Sequence, residues 1–224
     1  MHEIKAFFSQ HSIEFVLLFA AGLCFGWLML NRKRLRMNWV AALVISLLEV
    51  IFAVLFAKLF ARLEGDGNMS LYGGLFFLPI VYIISALITK RKVVKVLDVM
   101  TVCTLITVFF ARLNCLISGC CLGKVIADSS MRWPTREIEE VFYLILLEIF
   151  IRRCVKGKTH GELYPIYMVS YAILRFVTEF LRESDQTTPL HRAHYWSIIC
   201  LVIGVAALIV IHIKRNNLNR RGEQ

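Results

Sequence analysis

The sequence predicts an all-α membrane protein, a bundle of about seven transmembrane helices that forms a single domain over residues 1–224. Three observations lead to this fold class. Hydrophobic residues make up 58% of the chain. Apolar runs of about 18 residues or more, long enough to cross a bilayer, recur along it. The connections between these runs are too short to hold a soluble domain.

Seven segments are predicted to span the membrane. The fifth has a short apolar core and needs Glu148 to be sheltered by neighbouring helices. The first lacks a basic leading region and a small-residue cleavage site, so we expect no removed signal peptide. In chain order the spans cover residues 13–30, 39–61, 70–89, 94–117, 137–152, 162–181 and 194–213.

Lysine and arginine concentrate after the first, third, fifth and seventh spans, at residues 32–36, 90–95, 152–158 and 214–221. Because such residues favour the cytoplasmic side, we predict an external N-terminus and a cytoplasmic C-terminus. The net charge of +10 then reflects topology and contact with anionic lipid in the bilayer. Nucleic-acid binding is excluded, since the chain has no soluble basic domain.

The sixth span carries charges on one face. Tyr171, Arg175, Glu179 and Arg182 are spaced by four, four and three residues, which places them along one side of a helix. A charge inside a membrane normally faces the bundle interior or a wet cavity. This face is therefore predicted to line a polar cavity, although the same charges could form an ion-pair network that only fixes helix packing.

Two further spans are predicted to bring polar residues to the same depth. Arg112 ends the outward-running fourth span, and Tyr72 begins the third. Arginine binds phosphate through a planar, bidentate fork, so this convergence suits a phospholipid head group. Two alternatives remain open: Arg112 could extend to the interface, and Tyr72 could be an interfacial aromatic anchor.

The loops beside these residues are rich in glycine and cysteine. Gly73 and Gly74 permit close approach of a ligand or of a neighbouring helix. Cys120 and Cys121 lie in an outward loop and have either a thiol role or a packing role at the helix end. The seven cysteines have no paired spacing for zinc and no disulfide framework, so we predict no metal site.

Four segments carry a resemblance to a known family. They are YGGL at 72–75, ARLNCLISGCCLG at 111–123, WPTREIE at 133–139 and YAILRFVTEFLRE at 171–183. They resemble the motifs H-G-G-L, G-R-x-G-N-F-x-N-G-E-x-x-G, H-P-[ST]-Q-L-Y-E and Y-G-x-x-R-F-x-x-E-F-x-R-E of the bacterial phosphatidylglycerol–prolipoprotein diacylglyceryl transferase family. The chain is similar to divergent members with a Gly-Cys-Cys-x-Gly loop.

The resemblance implies an enzyme of the bacterial cytoplasmic membrane with its active site toward the outer face. Such an enzyme moves the diacylglyceryl group of phosphatidylglycerol onto the lipobox cysteine of a prolipoprotein and needs no cofactor. Arg112 and Arg175 would engage the lipid phosphate, and Tyr72 occupies the position of the family histidine. The implied substrate-binding residues are Gly73, Gly74, Asn114, Ser118, Gly119, Gly123, Tyr171, Glu179 and Arg182.

Departures from the motifs leave two alternatives open. The family histidine that helps to remove the thiol proton is Tyr72 here, and tyrosine, with a reference pKa of about 10, is a poor base. Cys115 and Cys120 replace a family asparagine and a family glutamate. The acceptor could therefore be another thiol, a hydroxyl or an amine, or the chain could bind lipid without catalysis.

Overall fold

Seven long helices and one short helix form the part of the chain that is described by a computed structural model, residues 12–64, 69–126, 131–157, 159–183 and 190–222. The long helices coincide with the seven predicted spans. They are α1 (Ser12–Leu30), α3 (Trp39–Leu63), α4 (Leu71–Ile88), α5 (Val93–Ser118), α6 (Thr135–Val155), α7 (Leu163–Leu181) and α8 (Arg192–Gly222), and the short helix is α2 (Arg32–Leu35).

Five of the long helices, α1, α3, α4, α5 and α8, are long and apolar enough to cross a membrane. Helices α6 and α7 carry more charge, including Glu139 and Glu148 in α6 and Arg175 and Glu179 in α7. All five have large apolar side chains on their outer surface, those of α5 only near its ends, as expected where lipid rather than water surrounds a bundle. The all-helical membrane class is thereby confirmed.

Helix α5 is the centre of the bundle. Every residue from Val99 to Val108 is buried, because α1, α3, α4, α6 and α7 all pack against this helix. Its backbone also accepts a hydrogen bond from another helix: Trp27 Nε1 donates to the Val99 carbonyl over 3.0 Å. Helix α8 packs mainly on α7.

Polar contacts tie the helices together at the end of the bundle where the predicted basic clusters lie. The buried carboxylate of Asp98 accepts hydrogen bonds from the backbone N–H groups of Gly161 (2.9 Å) and Leu163 (3.4 Å). Arg34 donates to the Cys154 carbonyl (2.9 Å) and to the Thr159 hydroxyl (3.0 Å). These contacts fix the α6–α7 connection against α2 and α5.

At the opposite end, the segment between α5 and α6 is held against the end of α7. Lys124 N donates to the Leu181 carbonyl over 2.8 Å, and Glu183 N donates to the Leu122 carbonyl over 3.1 Å. Gly123 and Arg182 form an isolated antiparallel β-bridge. This short pairing sets the position of Arg182 beside the last turn of α5.

Candidate active site

A cavity of about 830 Å³ opens at this second end of the bundle. It is surrounded by the N-terminal ends of α1, α4 and α8, the second half of α3, and the middle and C-terminal parts of α5 and α7. The structure brings together here all five residues that were expected to converge at one depth, which are Tyr72, Arg112, Arg175, Glu179 and Arg182. Tyr171, Asn114 and Gly74 line the same cavity.

Three arginines share two glutamates in this cavity. Arg112 Nη1 lies 2.9 Å from Glu139 Oε2, and Arg175 Nη2 lies 2.8 Å from Glu179 Oε2. Arg175 and Arg182 also face Glu139, at 3.7 and 3.9 Å. The side chain of Glu139 is only 2% exposed. These charged side chains therefore form one buried ion-pair network.

Several donors of these arginines have no hydrogen-bond acceptor among the described residues. They are Arg112 Nε, Arg175 Nη1 and both Nε and Nη2 of Arg182, and all four atoms are buried. A buried, unpaired donor on a charged group is costly and calls for a partner. An anion with several oxygens, such as a phosphate, would satisfy these donors.

The hydroxyl of Tyr72 has partners on α8. It donates to the Ala193 carbonyl over 2.8 Å and lies 2.7 Å from the Ser197 hydroxyl. The ring packs edge-on against Tyr171, with 5.4 Å between ring centroids. The side chain is 4% exposed. Because the hydroxyl proton is donated to the Ala193 carbonyl, Tyr72 is poorly placed to act as a base. Its contacts instead join α4 to α8 beside the cavity.

The predicted glycines have different roles. A Cβ on Gly73 would lie 2.0 Å from the Phe56 carbonyl oxygen, so Gly73 permits the close contact between α3 and α4. A Cβ on Gly123 would lie 2.1 Å from the Trp133 carbonyl oxygen. Gly119 has a left-handed φ of 73° and ends α5. Ser118, one residue earlier, donates from its hydroxyl to Cys120 Sγ over 3.4 Å.

Three thiols meet where α5 ends. The sulfur atoms of Cys115, Cys120 and Cys121 all lie within 4.8 Å of one another and line the cavity. A hydrogen bond from the Cys115 thiol, helped by the positive charges of Arg182 and Arg112, lowers the pKa of the Cys121 thiol below its ordinary value. The trio is a set of soft ligands for a metal ion. The prediction of no metal site considered sequence spacing alone and did not foresee this turn.

Two other residues of the cavity end were not predicted as site residues. Glu139 contacts all three arginines. The only sequence feature that pointed to Glu139 was its position in the motif segment 133–139. His191 is buried, lines the cavity, and has its Nδ1 3.6 Å from Glu179 Oε1.

Comparison with known proteins shows the family to which the chain belongs. A family model described as prolipoprotein diacylglyceryl transferase matches residues 12–210. The chain belongs to the prolipoprotein diacylglyceryl transferase family. The predicted family resemblance is therefore confirmed, and the arginine cluster lies within the matched region.

Individual members of the prolipoprotein diacylglyceryl transferase family are distant in sequence. Proteins named phosphatidylglycerol–prolipoprotein diacylglyceryl transferase from Helicobacter pylori and Campylobacter hominis are 25% and 26% identical over 71% and 66% of this chain. One from Lactococcus lactis is 22% identical over 67%. The chain spans 62%, 58% and 65% of the lengths of these three relatives.

Proposed function

We propose that this chain transfers the diacylglyceryl group of phosphatidylglycerol to the lipobox cysteine thiol of a prolipoprotein at the outer face of the bacterial cytoplasmic membrane. Family membership and the names of the relatives support the reaction class. The observation that carries the proposal is the set of buried guanidinium donors of Arg112, Arg175 and Arg182 that have no described acceptor.

In the proposed reaction, the phosphate of the lipid binds the three arginines. The acceptor thiol loses its proton to solvent, and its sulfur attacks the terminal glycerol carbon of the diacylglyceryl group. A C–S bond forms, and the bond between that carbon and the phosphate oxygen breaks. Glycerol phosphate leaves with the electron pair of that bond. Its second negative charge develops next to Arg112 and Arg175, and preorganised donors at such a point lower the barrier. Glu139 and Glu179 hold the guanidinium groups in place.

The orientation is supported by the arrangement of the bundle ends. The described basic residues of α2 and of the α4–α5 and α6–α7 connections lie at the end opposite the cavity. Lysine and arginine favour the cytoplasmic side, so the cavity would face outward. Reporter fusions after Arg36 and Arg91 should read cytoplasmic and fusions after Glu64 and Glu183 external. A cytoplasmic signal after Glu183 would overturn this orientation.

The direct test uses the purified chain in bilayers that contain phosphatidylglycerol labelled in its acyl chains. A lipobox peptide with its cysteine is added, and a cysteine-to-serine peptide is the control. We expect labelled thioether product and glycerol phosphate with the cysteine peptide only. Lipid hydrolysis or transfer to the serine peptide would indicate a different acceptor. Tight lipid binding without any product would indicate a non-catalytic lipid-binding protein.

A further inference from the structure

The turn after α5 brings three cysteines onto one side of the chain. Gly119 and Cys121 both have left-handed backbone angles, with φ of 73° and 60°. Two such residues so close together reverse the chain direction and return Cys120 and Cys121 to Cys115, which lies in the last turn of the helix. The three sulfur atoms are consequently within 4.8 Å of one another.

The conformation of Cys121 is unusual for a residue with a Cβ atom. Left-handed angles are disfavoured for such residues and persist where the surroundings hold them, often at functional sites. Here the Thr135 hydroxyl donates to the Cys121 carbonyl over 3.5 Å, and the following residues pair with the end of α7. The surrounding structure therefore fixes the Cys121 thiol beside the other two.

Three cysteine sulfurs in this arrangement suit a thiophilic ion. Zinc binds cysteine sulfur at about 2.3 Å, so two sulfurs on one tetrahedral ion lie about 3.8 Å apart. The observed spacing reaches that value with shifts of about 1 Å. Three protein ligands leave the fourth position of a tetrahedral ion open, as in catalytic zinc sites. Cys120 and Cys121 are exposed and Cys115 is half-buried, so an entering ligand can reach this position.

We propose that Cys115, Cys120 and Cys121 bind one zinc ion, and that the open fourth position binds the acceptor thiol. This inference rests on the proposed function, because the thiol to be alkylated is that of the lipobox peptide. The three cysteines line the same cavity as Arg112, Arg175 and Arg182. The zinc-bound sulfur and the lipid phosphate would therefore share one cavity.

The ion has a defined part in the reaction. When the peptide thiol binds zinc, its proton is released to solvent and its sulfur remains as a thiolate on the metal. This thiolate attacks the terminal glycerol carbon of the diacylglyceryl group, and glycerol phosphate leaves with the electron pair of the broken C–O bond. The product is a neutral thioether, which is a weaker ligand than a thiolate and dissociates. Zinc remains divalent throughout.

The position of Tyr72 agrees with this role. The Tyr72 hydroxyl donates its proton to the Ala193 carbonyl, so the phenol is not placed to remove the proton of an acceptor thiol. The metal would supply the thiol activation that Tyr72 does not provide.

The metal site is tested without any enzymatic turnover. The purified full-length chain is titrated with Co²⁺, whose bonds to thiolates give charge-transfer absorption. We expect one ion per chain, displaced by Zn²⁺, and at least a tenfold weaker binding in Cys115→Ser, Cys120→Ser and Cys121→Ser. Cys200→Ser is the matched control, because Cys200 is buried and donates to the Met168 carbonyl elsewhere in the bundle. Equal binding in all four variants would overturn the site.

The fourth ligand is tested by adding lipobox peptide to the Co²⁺-loaded chain. The cysteine peptide should increase the charge-transfer absorption, because a further thiolate binds the ion, whereas the serine peptide should not. Metal binding with identical spectra for both peptides would overturn the proposed thiol position while leaving the proposed transfer reaction intact.

Removal of the metal separates this inference from the proposed function. Chelation should lower transfer at least tenfold, and added Zn²⁺ should restore it. Full activity of the metal-free chain, with activity lost in His191→Gln instead, would identify His191 as the base and overturn the catalytic role of zinc. If no preparation transfers lipid while the spectra respond to the thiol, the proposed function fails and the zinc site stands.

Discussion

The two ends of the bundle use buried charges in different ways. At the basic end, Asp98 accepts two backbone hydrogen bonds and Arg34 donates to a carbonyl and a hydroxyl. At the cavity end, three arginines surround two glutamates and retain buried donors without a described acceptor. We interpret the first arrangement as one that stabilises the fold and the second as a candidate ligand site, because buried donors without an acceptor are costly.

Matched arginine substitutions give the largest expected contrast. Arg175→Lys retains the charge but loses the planar fork, and loss of one preorganised donor commonly lowers turnover about 10²- to 10³-fold. We expect a fall of that size in the labelled-lipid assay, and Arg112→Gln should behave similarly. Arg34→Lys loses the same fork at the basic end and should lower the thermal midpoint while leaving turnover per folded molecule within about twofold. Equal turnover in Arg34→Lys and Arg175→Lys would remove the distinction between the ends.

Glu139→Gln tests how much the cavity end depends on ion pairing. The change removes the carboxylate that contacts all three arginines, and loss of one partner of a buried ion pair costs about 3–5 kcal/mol. We expect a lower thermal midpoint, partly restored by phosphatidylglycerol because the lipid phosphate replaces the lost negative charge. Thermal unfolding with and without this lipid measures the effect, with phosphatidylcholine as the control lipid. Equal recovery with both lipids would argue against an anion site.

Alanine substitutions at the adjacent Gly73 and Gly74 test the helix contact at the cavity end. A methyl group on Gly73 would meet the Phe56 backbone at 2.0 Å, whereas on Gly74 its nearest neighbour would be 3.7 Å away. Overpacking of this kind typically costs about 1–3 kcal/mol. Gly73→Ala should therefore lower the thermal midpoint, and Gly74→Ala should not. A destabilised Gly74→Ala with a normal Gly73→Ala would contradict the described α3–α4 contact.

Asp98→Asn is expected to have the smallest effect. Asparagine retains one acceptor oxygen, so one of the N–H groups of Gly161 and Leu163 loses its partner. The expected cost is about 1–3 kcal/mol in the free energy of unfolding. Turnover of the folded protein should not change, because Asp98 lies at the end remote from the cavity. A selective loss of turnover at unchanged stability would show that the basic end contributes to catalysis.

The sequence predicted the helices well because each is encoded locally. All seven apolar runs became helices with ends within a few residues of the prediction, except that α8 continues to Gly222. The face formed by Arg175, Glu179 and Arg182 was also predictable, since helical spacing alone aligns these residues. Five of the seven long helices are long and apolar enough to cross a membrane. The outward orientation of the cavity stays a prediction.

The parts that sequence did not predict depend on contacts between distant segments. Glu139 joins the arginines only because α6 packs beside α5 and α7. The phenol of Tyr72 donates to Ala193, 121 residues later. Cys115 meets Cys120 and Cys121 through two left-handed residues, a conformation that cysteine spacing does not reveal. In the proposed reaction, Tyr72 and the three cysteines are the side chains that bear on the proton of the acceptor thiol.

Retention of phosphatidylglycerol tests most directly whether the unpaired guanidinium donors form a phosphate site. Native mass spectrometry of the purified chain would count bound lipid in the wild type, Arg175→Lys and Arg34→Lys after mild delipidation. We predict that the wild type and Arg34→Lys retain one phosphatidylglycerol in preference to phosphatidylcholine, and that Arg175→Lys loses this preference. Equal retention of phosphatidylglycerol by all three proteins, or no preference in the wild type, would contradict the account.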